Sequence, residues 1–428
     1  MYSTEQILSL APNENNASRG KALAKTRHWT LLATDGNALW GLCNGSGKKP
    51  YQTAIHLNGP AFTCSCPSRQ FPCKHAIGLL LLYSSGGSSF QQADQPDWVN
   101  NWINARKEKA GTAAPAAPPT RQNDRIRKRI QKLDAELPGL KQWLEDIMRV
   151  GYGSTDIQQP AFWEEQAARM VDAKASGIAS MLREIPELFY RDNWITLLSA
   201  RLADINLLVN ALLNRDQLSE PVQQEILARV GITPKKEEVL AGKGVQDTWQ
   251  VLGLSERFSQ RLYARRTWLL GKTSRKFALI LDFAFGEPNY ERKFLAGTEF
   301  NAQLVYYPSA VPQRALIKSE PENLQKITTI NSSGSLEAFL DEYASYVARQ
   351  PFNSVVPLLL THVNVIVTEG EGCMTDQHNC VIPVTLANDR YWQMLAVSGG
   401  KPCTVFGEWN GATWQPLTLI VNHQFYHL

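Results

Sequence analysis

Four side chains of the metal-ligating type crowd into one short stretch: Cys64-Ser65-Cys66-Pro67-Ser68-Arg69-Gln70-Phe71-Pro72-Cys73-Lys74-His75, a C-x-C-x6-C-x-H pattern. Residues i and i+2 of a strand point to the same face, so Cys64 and Cys66 present their sulfurs together. Pro67 stops that strand, and six residues turn the chain back. Cys73 and His75 then arrive at the entry to an apolar helix predicted over residues 76–83, with Ile77, Leu80 and Leu81 available to pack on Phe62. Three soft thiolates and one imidazole favour tetrahedral Zn2+ over hard cations. Protein fills all four positions, so the ion is expected to be a single structural Zn2+ without catalytic work. It would add folding free energy on the order of 10 kcal/mol.

The surrounding sequence supplies strands for such a unit. Apolar stretches at 29–33, 38–43 and 51–57 end in Asp35-Gly36, Asn44-Gly45-Ser46-Gly47 and Asn58-Gly59-Pro60, dipeptides that suit tight hairpins. Residues 1–104, closing with a short helix from residue 98, read as the first domain. Residues 105–120 hold Pro115, Pro118 and Pro119 among small and charged residues, the pattern of a linker.

Residues 121–244 read as helical. Ile126, Ile130, Leu133, Leu137, Leu140, Leu144 and Ile147 alternate spacings of four and three, an apolar stripe interrupted at Pro138-Gly139 by a kink or a break into two helices. One helix is expected over 162–185. Another carries Leu198, Leu202, Ile205, Val209 and Leu212. An antiparallel bundle follows. Residues 245–428 turn β-rich, with strands expected at 248–254, 261–270, 277–285, 299–307, 314–318, 358–368, 381–386, 392–397, 403–409 and 417–422, and a helix over 336–349. The expected architecture is α+β multidomain: a β-rich N-terminal domain with a ββα finger, a central helical bundle and a β-rich C-terminal domain.

The cysteine motif resembles the SWIM zinc finger, a ββα module of bacterial, plant and animal proteins, over roughly residues 50–85. Carried over by position, the resemblance implies Cys64, Cys66, Cys73 and His75 as zinc ligands. The layout of finger, helical middle and β-rich end is similar to bacterial SWIM proteins encoded beside MoxR-type AAA ATPases and von Willebrand A-domain proteins. The family implies protein interaction or DNA binding.

Charge bears on that choice. Between residues 15 and 93 there are eight basic residues against one acid, Asp35, a local excess of +7 in a chain of net charge +4. Lys48, Lys49, Arg69 and Lys74 are the candidate nucleic-acid contacts, joined by Arg19, Lys21, Lys25 and Arg27. Trp29, Trp40 and Phe71 are candidates for stacking on bases, Trp40 being better suited to a core.

Other signals do not rise to a site. Gly271-Lys272-Thr273 resembles the end of a phosphate-binding loop, but the required glycine five residues earlier is Arg266. Cys373, His378, Cys380 and Cys403 lack the paired spacing of a metal knuckle, and Cys43 reads as a packed strand residue. No dinucleotide, hydrolase or metalloprotease motif occurs, so an enzyme is not expected. Unbroken apolar runs are short of the roughly 20 residues that cross a bilayer, and the first 16 residues do not resemble a signal peptide. A cytoplasmic, non-membrane protein with protein partners is expected.

Overall fold

The computed structural model describes residues 4–428 apart from 46–48, 58–60, 69, 87–88, 112–118, 155, 260–261, 289, 291, 331–334, 354 and 369–370. Two helices open the chain, α1 (Thr4–Ser9) and α2 (Glu14–Leu23), followed by strands β1 (Trp29–Thr34), β2 (Ala38–Cys43), β3 (Tyr51–His56) and β4 (Ala61–Cys64). Next come α3 (Lys74–Ser84), β5 (Gln91–Gln92) and α4 (Asp97–Gly111). The strands form an antiparallel meander in the order β4-β3-β2-β1, with β5 added parallel to β1. Asp35 Oδ1 accepts the N–H groups of Asn37 and Ala38, and Gly36 takes φ +90°, which gives the expected first turn. The second and third expected turns fall largely outside the described residues.

Both faces of this sheet are covered. Leu32, Leu39 and Ile55 pack on α1 and α3, whereas Ala33, Ala38, Trp40 and Ala54 pack on Val99 and Ile103 of α4. Small alanines on the second face let α4 lie close, and Trp40 fills the remaining space. Helices α2 and α3 cross at two glycines. A Cβ on Gly20 would overlap Ile77, and one on Gly78 would lie 2.8 Å from Leu23 Cβ. Gly78→Val is therefore expected to lower the stability of the N-terminal domain by about 2 kcal/mol, read as a lower denaturant midpoint of the zinc-loaded protein. An unchanged midpoint would show that the crossing yields without cost.

The expected linker is entered by helix from both sides. Helix α4 runs on to Gly111, and α5 (Pro119–Val150) starts at Pro119; residues 112–118 lie outside the described residues. The bundle continues with α6 (Pro160–Asp172), α7 (Ser176–Arg183), α8 (Trp194–Leu213), α9 (Glu220–Arg229) and the short α10 (Lys236–Ala241). Leu133, Leu137, Leu140, Leu144 and Ile147 of the predicted stripe are buried with Trp163, Ile178 and the predicted apolar face of α8.

Two expectations are corrected here. Of the kink or break expected at Pro138-Gly139, the break does not occur: both residues lie on the exposed face of a single α5, where water can serve the carbonyl that loses its donor. The single helix expected over 162–185 is broken between α6 and α7 at Lys174, whose φ of +65° reverses the chain. Gly177 then meets the backbone of Arg229 at a distance that excludes a side chain. Counting unbroken apolar runs also passes over α8. By length and composition it is apolar enough to cross a membrane, although Arg201 and Asp204 interrupt it; here it buries Leu198, Leu202, Ile205, Leu208, Val209 and Leu212.

The C-terminal region has two sheets. Strands β6 (Val245–Ser259), β7 (Leu262–Gly271), β8 (Phe277–Phe285), β9 (Thr298–Tyr306), β10 (Ala315–Ile317) and β11 (Glu322–Lys326) form the first. Its order is β10-β9-β6-β7-β8, and a bridge from Leu279 to Arg314 brings its ends together as a near-barrel. After α11 (Leu336–Arg349), strands β12 (Val356–Thr368), β13 (Glu371–Thr375) and β14 (Val381–Ile382), helix α12 (Asn388–Ser398) and strands β15 (Cys403–Trp409), β16 (Trp414–Val421) and β17 (Gln424–His427) complete the second. Leu252, Trp268, Phe406 and Leu417 seal one sheet against the other.

The expected strand at 392–397 is helical in α12, because Tyr391, Met394 and Ser398 are buried at helical spacing and Gly399, at φ +62°, ends the turn. The expected strand at 381–386 shortens to β14 plus a bridge at Val384.

Candidate metal centre

Strand pairing and a helix start converge on the cysteines. In the β3–β4 hairpin Thr53 lies opposite Cys64, and Cys66 follows beyond the strand end. The chain returns through a cis Phe71–Pro72 peptide, and Cys73 forms the N-cap of α3, which carries His75 in its first turn. One ligand atom from each of Cys64, Cys66, Cys73 and His75 lies within 4.8 Å of all the others. His75 Nδ1 is 3.7 Å from Cys64 Sγ and 3.8 Å from Cys73 Sγ. A tetrahedral Zn2+ with ordinary bond lengths needs sulfur–nitrogen separations of about 3.6 Å, so the pocket already has the dimensions of the ion.

Electrostatics agree with the geometry. Without a cation, hydrogen bonding from Cys73 and then from His75 and Thr53 holds the Cys64 thiol down to about 4, against the effect of burial. Cys73 moves the opposite way, raised by its bond to Cys64 and by burial; burial likewise raises Cys66. One thiolate is easy to form here and three together are not. A divalent cation removes that conflict. Backbone N–H groups prepare the sulfurs for it: Cys66 faces Cys64, Ser68 faces Cys66, and Ala76 in the first turn of α3 faces Cys73.

Two supporting residues were not read from the sequence. Thr53 Oγ1 lies 3.2 Å from Cys64 Sγ, and the Tyr51 ring packs on His75 with centroids 5.0 Å apart. Extending the hairpin back from its turn would have placed Thr53 opposite Cys64. Cys43 is buried in β2, as expected, and burial pushes its thiol up to about 11, a poor metal ligand. Among the described residues no second cluster of this kind occurs: Cys403 is buried 3.3 Å from the Val363 carbonyl oxygen, while Cys380 is exposed. Gly271-Lys272-Thr273 forms the β7–β8 turn. There Lys272 pairs with Glu299 at 3.0 Å, and Asp247 accepts the Thr273 N–H at 3.0 Å.

These features define a zinc-finger protein of the Cys3His type. Residues 63–84 match the family model of the SWIM zinc finger, and residues 128–230 match that of the SWIM-associated four-helix bundle domain. No curated protein and no solved structure matches the chain.

The basic residues divide. Lys48 and Arg69 lie outside the described residues. Lys49 is exposed and Lys74, the first residue of α3, is half-buried. Arg19, Lys21, Lys25 and Arg27 are exposed, and among the described residues none of them forms an ion pair. The stacking expectation is corrected for Trp29, whereas Trp40 packs in the core as expected: the two are buried in opposite faces of the sheet, and the Trp29 indole donates to the Leu23 carbonyl at 3.0 Å. Phe71 remains half-buried.

Proposed function

We propose that this protein is a non-catalytic adaptor, in which the zinc-pinned domain and the bundle dock other proteins, with a MoxR-type AAA ATPase and von Willebrand A-domain system as the partner. The observation that carries this reading is an apolar end of the bundle. Met148 and Val150 at the close of α5, Tyr190 in the turn before α8 and Ile195 in the first turn of α8 are all exposed, Tyr190 by 89%. Tyr152 joins the two helices there, touching Met148 and Trp194. Exposed apolar residues gathered at one place are the usual mark of a protein-contact surface. A metal ligated wholly by protein side chains supports a structural role for the ion in the same reading.

The second reading, nucleic-acid binding, is favoured by the exposed cations of and beside α2. The zinc-loaded full chain should be titrated against the purified ATPase and A-domain protein of its native host, and against duplex DNA at about 50 and 200 mM salt. The adaptor reading expects a stable complex that Tyr190→Asp with Ile195→Asp abolishes, and weak DNA binding. DNA affinity falling about a hundred-fold between those salts, with no protein complex formed, would reverse the two readings.

A further inference from the structure

A cleft of about 850 Å3 separates the N-terminal domain from the near-barrel. One wall comes from the segment after α1, Leu10, Ala11 and Pro12; the other carries Leu254, Glu256, Arg265, Tyr290, Lys293 and Phe294, with Phe425 of β17 at its side. That size is ordinary for a pocket holding a small organic molecule. Two of the charged groups inside, Arg265 and Glu256, are already matched. The Arg265 guanidinium bonds Asp282 at 2.5 Å and lies over the Tyr290 ring at 4.0 Å. Glu256 accepts the Tyr290 hydroxyl at 2.5 Å.

Lys293, half-buried where Lys326 is exposed, is not matched. Its ammonium approaches the Tyr290 ring at 5.8 Å but makes no hydrogen bond or ion pair among the described residues. Burial first and the Arg265 charge second push it down to about 8, and Glu256 opposes them only in part. Among the described residues the ammonium has no hydrogen-bond acceptor, so an anion placed beside it in the cleft would find a free donor.

We propose that this cleft binds an organic anion with an apolar body, its head against Lys293 and its body along Leu10, Leu254, Phe294 and Phe425. Carboxylate and phosphate heads share the required chemistry, and the cleft's aromatic and aliphatic walls require the body. The site stands apart from the adaptor surface and from the zinc ligands.

The test is calorimetric titration of the zinc-loaded full chain with octanoate and with octyl phosphate, using acetate, inorganic phosphate and 1-octanol as head-only and tail-only controls. At least one of the two amphiphiles is expected to bind saturably, at least ten-fold tighter than its head alone. Which one binds identifies the head. Lys293→Met should weaken that binding at least ten-fold, whereas Lys326→Met, at the exposed rim, should change it less than three-fold. No saturable binding of either amphiphile, equal binding of 1-octanol, or indifference to Lys293→Met overturns the proposal. Should Lys293→Met not fold, protection of the wild-type Lys293 amine from acetylation by saturating ligand, read by mass spectrometry, takes its place. Undiminished acetylation would then overturn it.

Discussion

Replacing Cys66 with serine is expected to unfold the N-terminal domain while leaving the bundle helical. The ligand set has no spare member: among the described residues, four atoms within 4.8 Å make the whole cluster. Zinc binding in small modules supplies folding free energy on the order of 10 kcal/mol, comparable to the entire stability of a domain. The Cys66→Ser chain would keep three ligands, and the remaining thiols would return to the conflict in which Cys64 ionises and Cys73 does not. The measurements are zinc content, far-ultraviolet circular dichroism, and quenching of tryptophan fluorescence by iodide. Zinc should fall below stoichiometric, and Trp29 and Trp40, now buried, should become accessible. The helical signal of α5–α9 should persist, since its core of Leu140, Trp163 and Ile205 does not touch the finger. Cys43→Ala separates ligation from packing, because that thiol is buried without belonging to the cluster and its loss should leave zinc content intact. A fully folded N-terminal domain after chelation would refute the structural role of the metal.

Glu225→Gln is expected to raise stability at pH 8 relative to pH 5 by about 2.5 kcal/mol more than wild type. Glu225 is buried on α9, where the bundle meets the loop after β9 and the end of α11. Its Oε2 lies 3.5 Å from the Ser309 hydroxyl, which also lies 3.2 Å from Gln350 Oε1. Its Oε1 finds no partner among the described residues. Burial raises the carboxyl from 4.5 to about 7, against weaker hydrogen bonds from Ala310, Ser309 and Gln350 and the charge of Arg229. Below pH 4.5 folded and unfolded chains both hold the proton, and the group is neutral to stability. As pH rises from there the unfolded chain ionises first, so stability falls until the folded carboxyl also ionises near pH 7; above that the loss is constant. Glutamine keeps the shape and cannot ionise, so its variant should lack this slope. Chemical denaturation of the bundle at both pH values reads the difference, and parallel pH dependences for the two proteins would remove Glu225 as its source.

The metal ligands were legible because their chemistry is local: twelve consecutive residues hold every donor, and strand alternation plus a helix start suffices to aim them. The α5 and α8 stripes were legible for a similar reason, since one face of each helix is uniformly apolar. What the sequence left open depends on partners remote in the chain. Trp-Gln-Met-Leu-Ala-Val at 392–397 alternates well enough for a strand, and only its burial at Tyr391 and Met394 against β12 and β13 decides for a helix. Trp29 among cations reads as a base-stacking residue until α2 and α3 are seen to cover it. Lys174 carries no glycine-like signal for its positive φ, so the break between α6 and α7 could not be read from the pattern.

The glycine crossing of α2 and α3 bears on how this finger can be produced in isolation. The matched motif occupies residues 63–84, yet the helix it ends on is clasped by Gly20 and Leu23, forty or more positions upstream. An expression clone trimmed to the motif would strip α3 of the helix packed on it and expose Ile77, Leu79 and Leu80. The shortest useful recombinant piece should therefore start no later than residue 4 and retain α4 on the far side of the sheet.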